Sequence, residues 1–189
     1  PTPPPPTTTL LPYTTLFRSL VKLDFGAIGK GYGIDMAIGH LRELGIKNAI
    51  VNSGGDLRAI GTRSGRPWRI AIRSPSGAGT LGFLHVKGDE SVFTSGDYER
   101  NYVWEGKTYH HIIDPRTGYP ATDTRSITVV QGDATPADAA ATALCVAGPQ
   151  DWHRSARKRV IGYVLRIARH GQALRIPAMQ TRDTRMDSD

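Results

Sequence analysis

The sequence predicts an α+β domain, with short strands forming a mixed or antiparallel sheet and helices segregated beside it. Three observations lead there. Apolar residues recur at helical spacing in only a few places, near residues 30–44, 135–148 and 152–159. Between these lie many short β-branched and aromatic runs punctuated by Gly, Ser and Asn turns. The 189 residues, 39% of them hydrophobic, suffice for one domain with a genuine core.

In chain order, a short strand at Val21–Phe25 leads through a glycine-rich turn into a helix from about Lys30 to Leu44. Ile34, Ile38 and Leu41 mark its apolar face, and Gly45 is its stop. Strands are predicted at Ala49–Asn52, Leu57–Ile60, Trp68–Arg73, Leu81–Val86 and Ser91–Thr94. Tyr98–Trp104 and Tyr109–Ile113 read as a pair joined at Glu105-Gly106-Lys107, and Ser126–Gln131 as a further strand. A helix then runs from Thr135, an N-cap with Pro136 at the first helical position, to Gly148. Trp152–Arg159 is a second helix, and Val160–Ala168 with Gln172–Ile176 is a hairpin about His170-Gly171.

Residues 1–19 differ from the rest. Their Pro/Thr composition and single charge, Arg18, give little to bury, so the segment reads as disordered and foreign to the domain. Residues 20–180 form the domain, and 181–189 a mobile polar tail. Cys145 is the sole cysteine, which excludes an internal disulfide and a site built from several thiolates. No apolar run approaches bilayer length, and no secretory signal is visible. The net charge of +7 raises the question of nucleic acid. Residues 151–189 carry nine Lys/Arg against four Asp, whereas 20–150 carry fourteen basic and thirteen acidic residues. The body is nearly neutral and lacks a basic stripe interleaved with aromatics, so no nucleic-acid partner is expected.

Five constellations carry possible chemistry. In Leu23-Asp24-Phe25-Gly26-Ala27-Ile28-Gly29-Lys30-Gly31-Tyr32-Gly33, glycines such as Gly29 at a turn into a helix allow close backbone approach. Unpaired N–H groups at the helix start favour phosphate, and Lys30 adds a charge. A tight packing turn explains the same residues. Asn52-Ser53-Gly54-Gly55-Asp56 is either a hairpin turn or a source of backbone donors, Gly55 among them, for the same pocket. Thr94-Ser95-Gly96-Asp97 reads as a turn offering hydroxyl and backbone donors; no base lies at local spacing from Ser95, which points to binding rather than nucleophilic attack. In His110-His111-Ile112-Ile113-Asp114-Pro115-Arg116-Thr117-Gly118, adjacent strand residues face opposite ways, so the two histidines do not share one ion. One of them is an acid/base or phosphate donor, or else merely packed. Asp138 and Thr142, four apart on a helix, put a carboxylate and a hydroxyl on one face, which suits a hard cation such as Mg²⁺. A dipole-favoured Asp beside a buried Thr is the plainer reading.

In their order and wording, LDFGAIGKGYGID, VNSGGDLRAIG, FTSGDYER, HHIIDPRTGYPA and ADAAATAL resemble the FAD:protein FMN transferases, the ApbE-type flavin transferases, from Leu23 to about Met179. The resemblance implies that family's α+β fold, FAD as substrate, and Mg²⁺. It also implies transfer of FMN to a Thr or Ser hydroxyl of an acceptor protein, with AMP released. Carried over by position, Asp24 and Lys30 contact FAD, the Ala27 carbonyl joins Asp138 and Thr142 around the metal, and His111 stands at the pyrophosphate. Ile112 and Ile113 present backbone groups beside it, and Asp138 and His111 are the catalytic pair. Some members have an acidic residue where this chain has Ala141. Members also carry a substantial region before the Asp24 motif, where this chain has the Pro/Thr segment, so the domain is expected to be N-terminally truncated. Many members are lipid-anchored in the bacterial periplasm, which implies a membrane link only through such an anchor. An Mg²⁺-dependent FAD pyrophosphatase and a non-catalytic FAD-binding protein are the competing expectations.

Overall fold

The computed structural model describes residues 23–77, 79–86, 88–158 and 162–176. The segments 1–19 and 181–189 lie outside them. So do Val21 and Lys22 of the predicted first strand, Arg159 of the predicted last helix, Val160 and Ile161 of the predicted strand Val160–Ala168, and everything after Ile176.

Helix α1 (Gly29–Glu43) is followed by β1 (Ala49–Ser53), β2 (Asp56–Ile60), β3 (Trp68–Arg73), β4 (Thr80–Val86) and β5 (Glu90–Gly96). Then come β6 (Asn101–Trp104), β7 (Lys107–His110), β8 (Ile113–Asp114), β9 (Tyr119–Pro120) and β10 (Thr124–Gln131). Helix α2 (Ala134–Lys158), β11 (Tyr163–Ala168) and β12 (Ala173–Arg175) complete the order. Six strands make one sheet in the order β1-β2-β5-β10-β11-β12, every neighbouring pair antiparallel. The mixed-or-antiparallel expectation therefore resolves to antiparallel. The hairpins β3–β4, β6–β7 and β8–β9 stand apart as two-stranded sheets.

Both helices pack on the sheet through their apolar stripes. Ile34 and Ile38 of α1, and Ala137, Ala141 and Leu144 of α2, are buried against Leu57, Phe93, Ile127 and Val129. The alanines of α2 let it lie close to its neighbours. Truncating the fully buried Leu144 to Ala would cost about 2–5 kcal/mol, the range for such cavities. The opposite side of α1 is different: Ile28, Tyr32 and Met36, at four-residue spacing, are exposed.

Several expectations change. Leu23–Phe25 is not a strand; the Asp24 carboxylate accepts the Gly26 N–H at 2.6 Å, and this local turn runs straight into α1. Strand β5 continues through Ser95 and Gly96, which pair with Ile127 and Ser126, so these residues are ladder rather than turn. The predicted strand Tyr109–Ile113 is divided: β7 ends at His110, and Ile113 starts a new hairpin with Pro120. The two predicted C-terminal helices are present: within Ala134–Lys158 the backbone leaves helical geometry at Gly148, whose φ of 71° only glycine adopts readily, with Pro149 next. Thr135 is not the cap of α2. The helix starts at Ala134, and its first N–H groups are satisfied by Asp35, from the other helix.

Candidate functional site

The N-termini of α1 and α2 meet at Gly31. A Cβ there would lie 2.5 Å from the Ala134 carbonyl oxygen and 2.7 Å from the Thr135 Cα, so only glycine permits this approach. The contact brings Asp138, one turn into α2, against the start of α1. Asp138 is buried, and its Oδ2 accepts the Gly31 N–H at 2.9 Å. Burial holds its carboxyl above the ordinary value. The Gly31 bond opposes that shift, the charge of Asp56 adds to it, and Lys30 offsets part of it through its charge and its own N–H.

Lys30, in the first turn of α1, forms an ion pair with Asp56 at the start of β2. Asp56 is buried, and its other oxygen accepts the Thr94 N–H at 2.9 Å. The Thr94 and Thr128 hydroxyls bond at 2.8 Å across the β5–β10 ladder. One helical turn beyond Asp138, the Thr142 hydroxyl lies 3.3 Å from that of Ser95. Lys30, Asp138, Thr142 and Ser95 are thus gathered at one end of the sheet, as the sequence suggested. Asp56 is the member that sequence reasoning did not single out. It closes the quoted Asn-Ser-Gly-Gly-Asp string, and a lysine fixed in the facing motif was the signal for it.

The donors offered here are hard. The N–H groups that would ordinarily close on the Ala27 carbonyl, those of Lys30 and Gly31, turn to Asp138, and α1 accordingly begins at Gly29. A carboxylate, a hydroxyl and a backbone carbonyl near a helix start fit Mg²⁺ or Mn²⁺, which take oxygen ligands and keep several waters. Among the described residues no cluster of three or more His, Cys, Asp or Glu side chains exists.

The histidines separate cleanly. His110 is buried; its Nε2–H donates to the Ala121 carbonyl at 2.8 Å and its Nδ1 accepts the Ile112 N–H at 3.3 Å, which makes it a structural tie. Both backbone groups of Ile112 are taken up within this loop, its carbonyl accepting the Ala121 N–H at 3.0 Å. His111 is exposed, and its contacts are with the Arg100 carbonyl, which accepts its N–H at 3.1 Å and lies 3.4 Å from Nδ1. Although the residue as a whole is exposed, desolvation of the ring pulls His111 below its ordinary pKa, so it is neutral at pH 7. Neither Asp138 nor Lys30 is hydrogen-bonded to it. Of the remaining residues, Gly55 gives its N–H to the Asn52 side chain at 3.0 Å, and Asp24 and Gly29 are exposed at the entry to α1. Two surface clefts, one at Arg42, Lys47 and Asp89 and one at Arg116, Asp123 and Cys145, include none of Lys30, Asp56 and Asp138.

An antiparallel α+β domain whose two helices bring a buried carboxylate and a lysine to one point offers oxygen donors of the kind a hard cation takes, beside one positive charge. The family model described as ApbE family matches residues 8–165, and the chain belongs to that family. A FAD:protein FMN transferase of Rhodobacter capsulatus is 42% identical over 162 residues, covering 86% of this chain and 31% of that protein. The crystal structure of the ApbE protein of Thermotoga maritima superposes with a TM-score of 0.79 at 37% identity, over 85% of this chain and 53% of that one. The apo flavinyl transferase ApbE of Pseudomonas stutzeri gives 0.71 at 34%, over 84% of this chain and 50% of that one. The chain therefore spans about a third of the first relative's length and about half of the others'.

Proposed function

We propose that this chain is part of an FAD:protein FMN transferase, which moves FMN from FAD to a Thr or Ser hydroxyl of an acceptor protein and releases AMP. The observation that carries the reading is the buried Asp138 at the N-terminus of α1, with Thr142 one turn on and the Lys30–Asp56 pair beside it. The names of the relatives supply FAD, FMN and a protein acceptor.

Asp138, Thr142 and the Ala27 carbonyl would hold Mg²⁺. Bound there, the ion would neutralise the pyrophosphate and polarise its phosphoryl oxygens. Lys30, oriented by Asp56, contacts FAD, and Asp24, Gly29, Gly55 and Ser95 line the approach. His111 stands at the pyrophosphate, with Ile112 anchoring its loop and Ile113 beside it. With Nδ1–H turned to the Arg100 carbonyl, Nε2 of neutral His111 is left as the acceptor for the proton of the incoming hydroxyl. The hydroxyl oxygen then bonds to the flavin-side phosphorus as that phosphorus loses its bridge oxygen to AMP. Periplasmic location and a lipid anchor are part of the same proposal and rest on the family resemblance alone.

The test is incubation with FAD, Mg²⁺ and a Thr-bearing acceptor domain, following AMP by chromatography and flavin fluorescence on denatured acceptor. Covalent flavin that appears with AMP in equal amounts, and disappears with Asp138→Ala, supports transfer. Free FMN formed equally without acceptor would instead make the protein a pyrophosphatase.

A further inference from the structure

The two helices cap each other. While Asp138 of α2 receives the N–H of Gly31 in α1, Asp35 of α1 receives the first N–H groups of α2. Its Oδ1 accepts from Ala134 at 2.8 Å, and its Oδ2 accepts from the Thr135 N–H at 2.8 Å and the Thr135 hydroxyl at 2.6 Å. Asp35 and Asp138 each stand one turn, four residues, beyond the Gly31–Ala134 contact in their own helix, and each bonds back to the start of the other. Asp133, the residue ahead of α2, does not cap it locally; it pairs with Arg58 at 2.9 Å. Arg58, buried, also holds Asp35 at 2.5 Å and Asp89 at 2.8 Å. The chain of contacts thus runs from β2 through Arg58 and Asp35 to the start of α2, and from Asp138 back to the start of α1.

We infer that Asp35 is a positioning residue for the candidate cation site: it fixes where α2 begins relative to α1, and thereby where Asp138 presents its carboxylate. Asp35 is not itself a ligand, because both of its oxygens are engaged by protein donors. Without its carboxylate, two N–H groups and a hydroxyl at the start of α2 lose their acceptor, and the register of the helix pair is held only by packing. Partners that orient a ligand in this way change metal affinity about 10–100-fold when removed. The inference rests on the reading of Asp138 and Thr142 as ligands, and one arm of the test is independent of it.

That arm is amide hydrogen exchange of Gly31, followed by NMR in the 189-residue chain without metal. In wild type the Gly31 amide is protected through Asp138; Asp35→Asn should lose that protection about as fully as Asp138→Asn does. The second arm is Mn²⁺ titration followed by EPR. Asp35→Asn should raise the Mn²⁺ dissociation constant at least about tenfold, within the range seen for orienting partners, at temperatures where circular dichroism shows it folded. Thr135→Val, which removes a single bond to Asp35, should show a smaller change of the same sign and serves if Asp35→Asn does not fold. Val164→Ala, a core change in β11 away from both caps, controls for lowered stability and should leave Mn²⁺ affinity unchanged. Gly31 protection retained in Asp35→Asn, or an equal loss of affinity in Val164→Ala, overturns the inference. Absence of Asp138-dependent Mn²⁺ binding in wild type would overturn the metal reading while leaving the exchange arm to decide on Asp35.

Discussion

Gly31→Ala isolates the contact on which the site depends. The added methyl would lie 2.5 Å from the Ala134 oxygen, 2.7 Å from the Thr135 Cα and 2.8 Å from the Ala134 carbonyl carbon, all of them backbone atoms. Reaching ordinary contact at 3.4 Å requires the helices to separate by about 0.9 Å, and no flexible side chain can yield instead. Such overpacking costs about 1–3 kcal/mol. Stretching the Gly31 bond to the Asp138 carboxylate costs about 1.5 kcal/mol more, the lower end for bonds to charged groups. Alanine's greater helix propensity returns up to about 1 kcal/mol in the first turn of α1. With that return in full, the net is a loss of about 1.5–3.5 kcal/mol, or a Tm lowered by about 3–14 °C for a chain of this size. Gly33→Ala and Gly39→Ala are the controls, since an added Cβ at either meets nothing within 4 Å. Both should be neutral to stabilising by up to about 1 kcal/mol. Urea unfolding followed by circular dichroism measures all three. Gly31→Ala as stable as Gly33→Ala would refute the close approach of the helices, and with it the placement of Asp138.

Three further outcomes are expected. Hydrogen bonds from Arg58 hold Asp89 below its ordinary pKa against burial, and for Asp35 burial is outweighed by Thr135, Ala134 and Arg58. Both groups have folded values below their unfolded ones, so their stabilisation is complete above about pH 4. It is lost as pH falls through the folded values; unfolding at pH 2–6 should show that limb, shallower in Arg58→Ala, and an identical limb in the variant would count against the network. Burial pushes the Cys145 thiol up to about 12, so native protein at pH 8 should not react with a thiol-specific disulfide reagent, whereas protein in urea should react fully; rapid native labelling would contradict this. Asp56→Ala leaves the Thr94 N–H without its acceptor and should cost about 1–3 kcal/mol in urea unfolding, with weaker FAD binding through Lys30 read by flavin fluorescence; unchanged stability and binding would show that the pair carries neither role.

How much of this was legible in the sequence differs by the range of the interaction. Periodicity located α1, and β3 to the residue, because burial on one face repeats locally. The helix start, read at about Lys30 and found at Gly29, and the turn at Gly54-Gly55 were also visible, being properties of a few adjacent residues. What failed was set by partners distant in the chain. Thr135 looked like a cap because it precedes proline, yet the acceptor for α2 is Asp35, 100 residues earlier. Ser95 and Gly96 looked like a turn because of their composition, but the β10 ladder holds them extended. Of the paired histidines, only the fold shows that His110 is tied to Ala121 and His111 is the exposed one. That Asp138 and Thr142 share one face of a helix was legible because a spacing of four residues is itself local, whereas Asp56 needed the Lys30 pairing to be seen.

In the proposed site Asp138, Thr142 and the Ala27 carbonyl hold a divalent cation where the two helices meet, and FAD is cleaved against it. Crystals grown with Mn²⁺ and FAD, recorded at a wavelength where manganese scatters anomalously, test this arrangement most directly. A manganese peak is expected within coordination distance of Asp138, Thr142 and the Ala27 carbonyl, with the FAD pyrophosphate against it and the start of α1. A manganese peak elsewhere, or one that persists unchanged in Asp138→Asn, would contradict that arrangement.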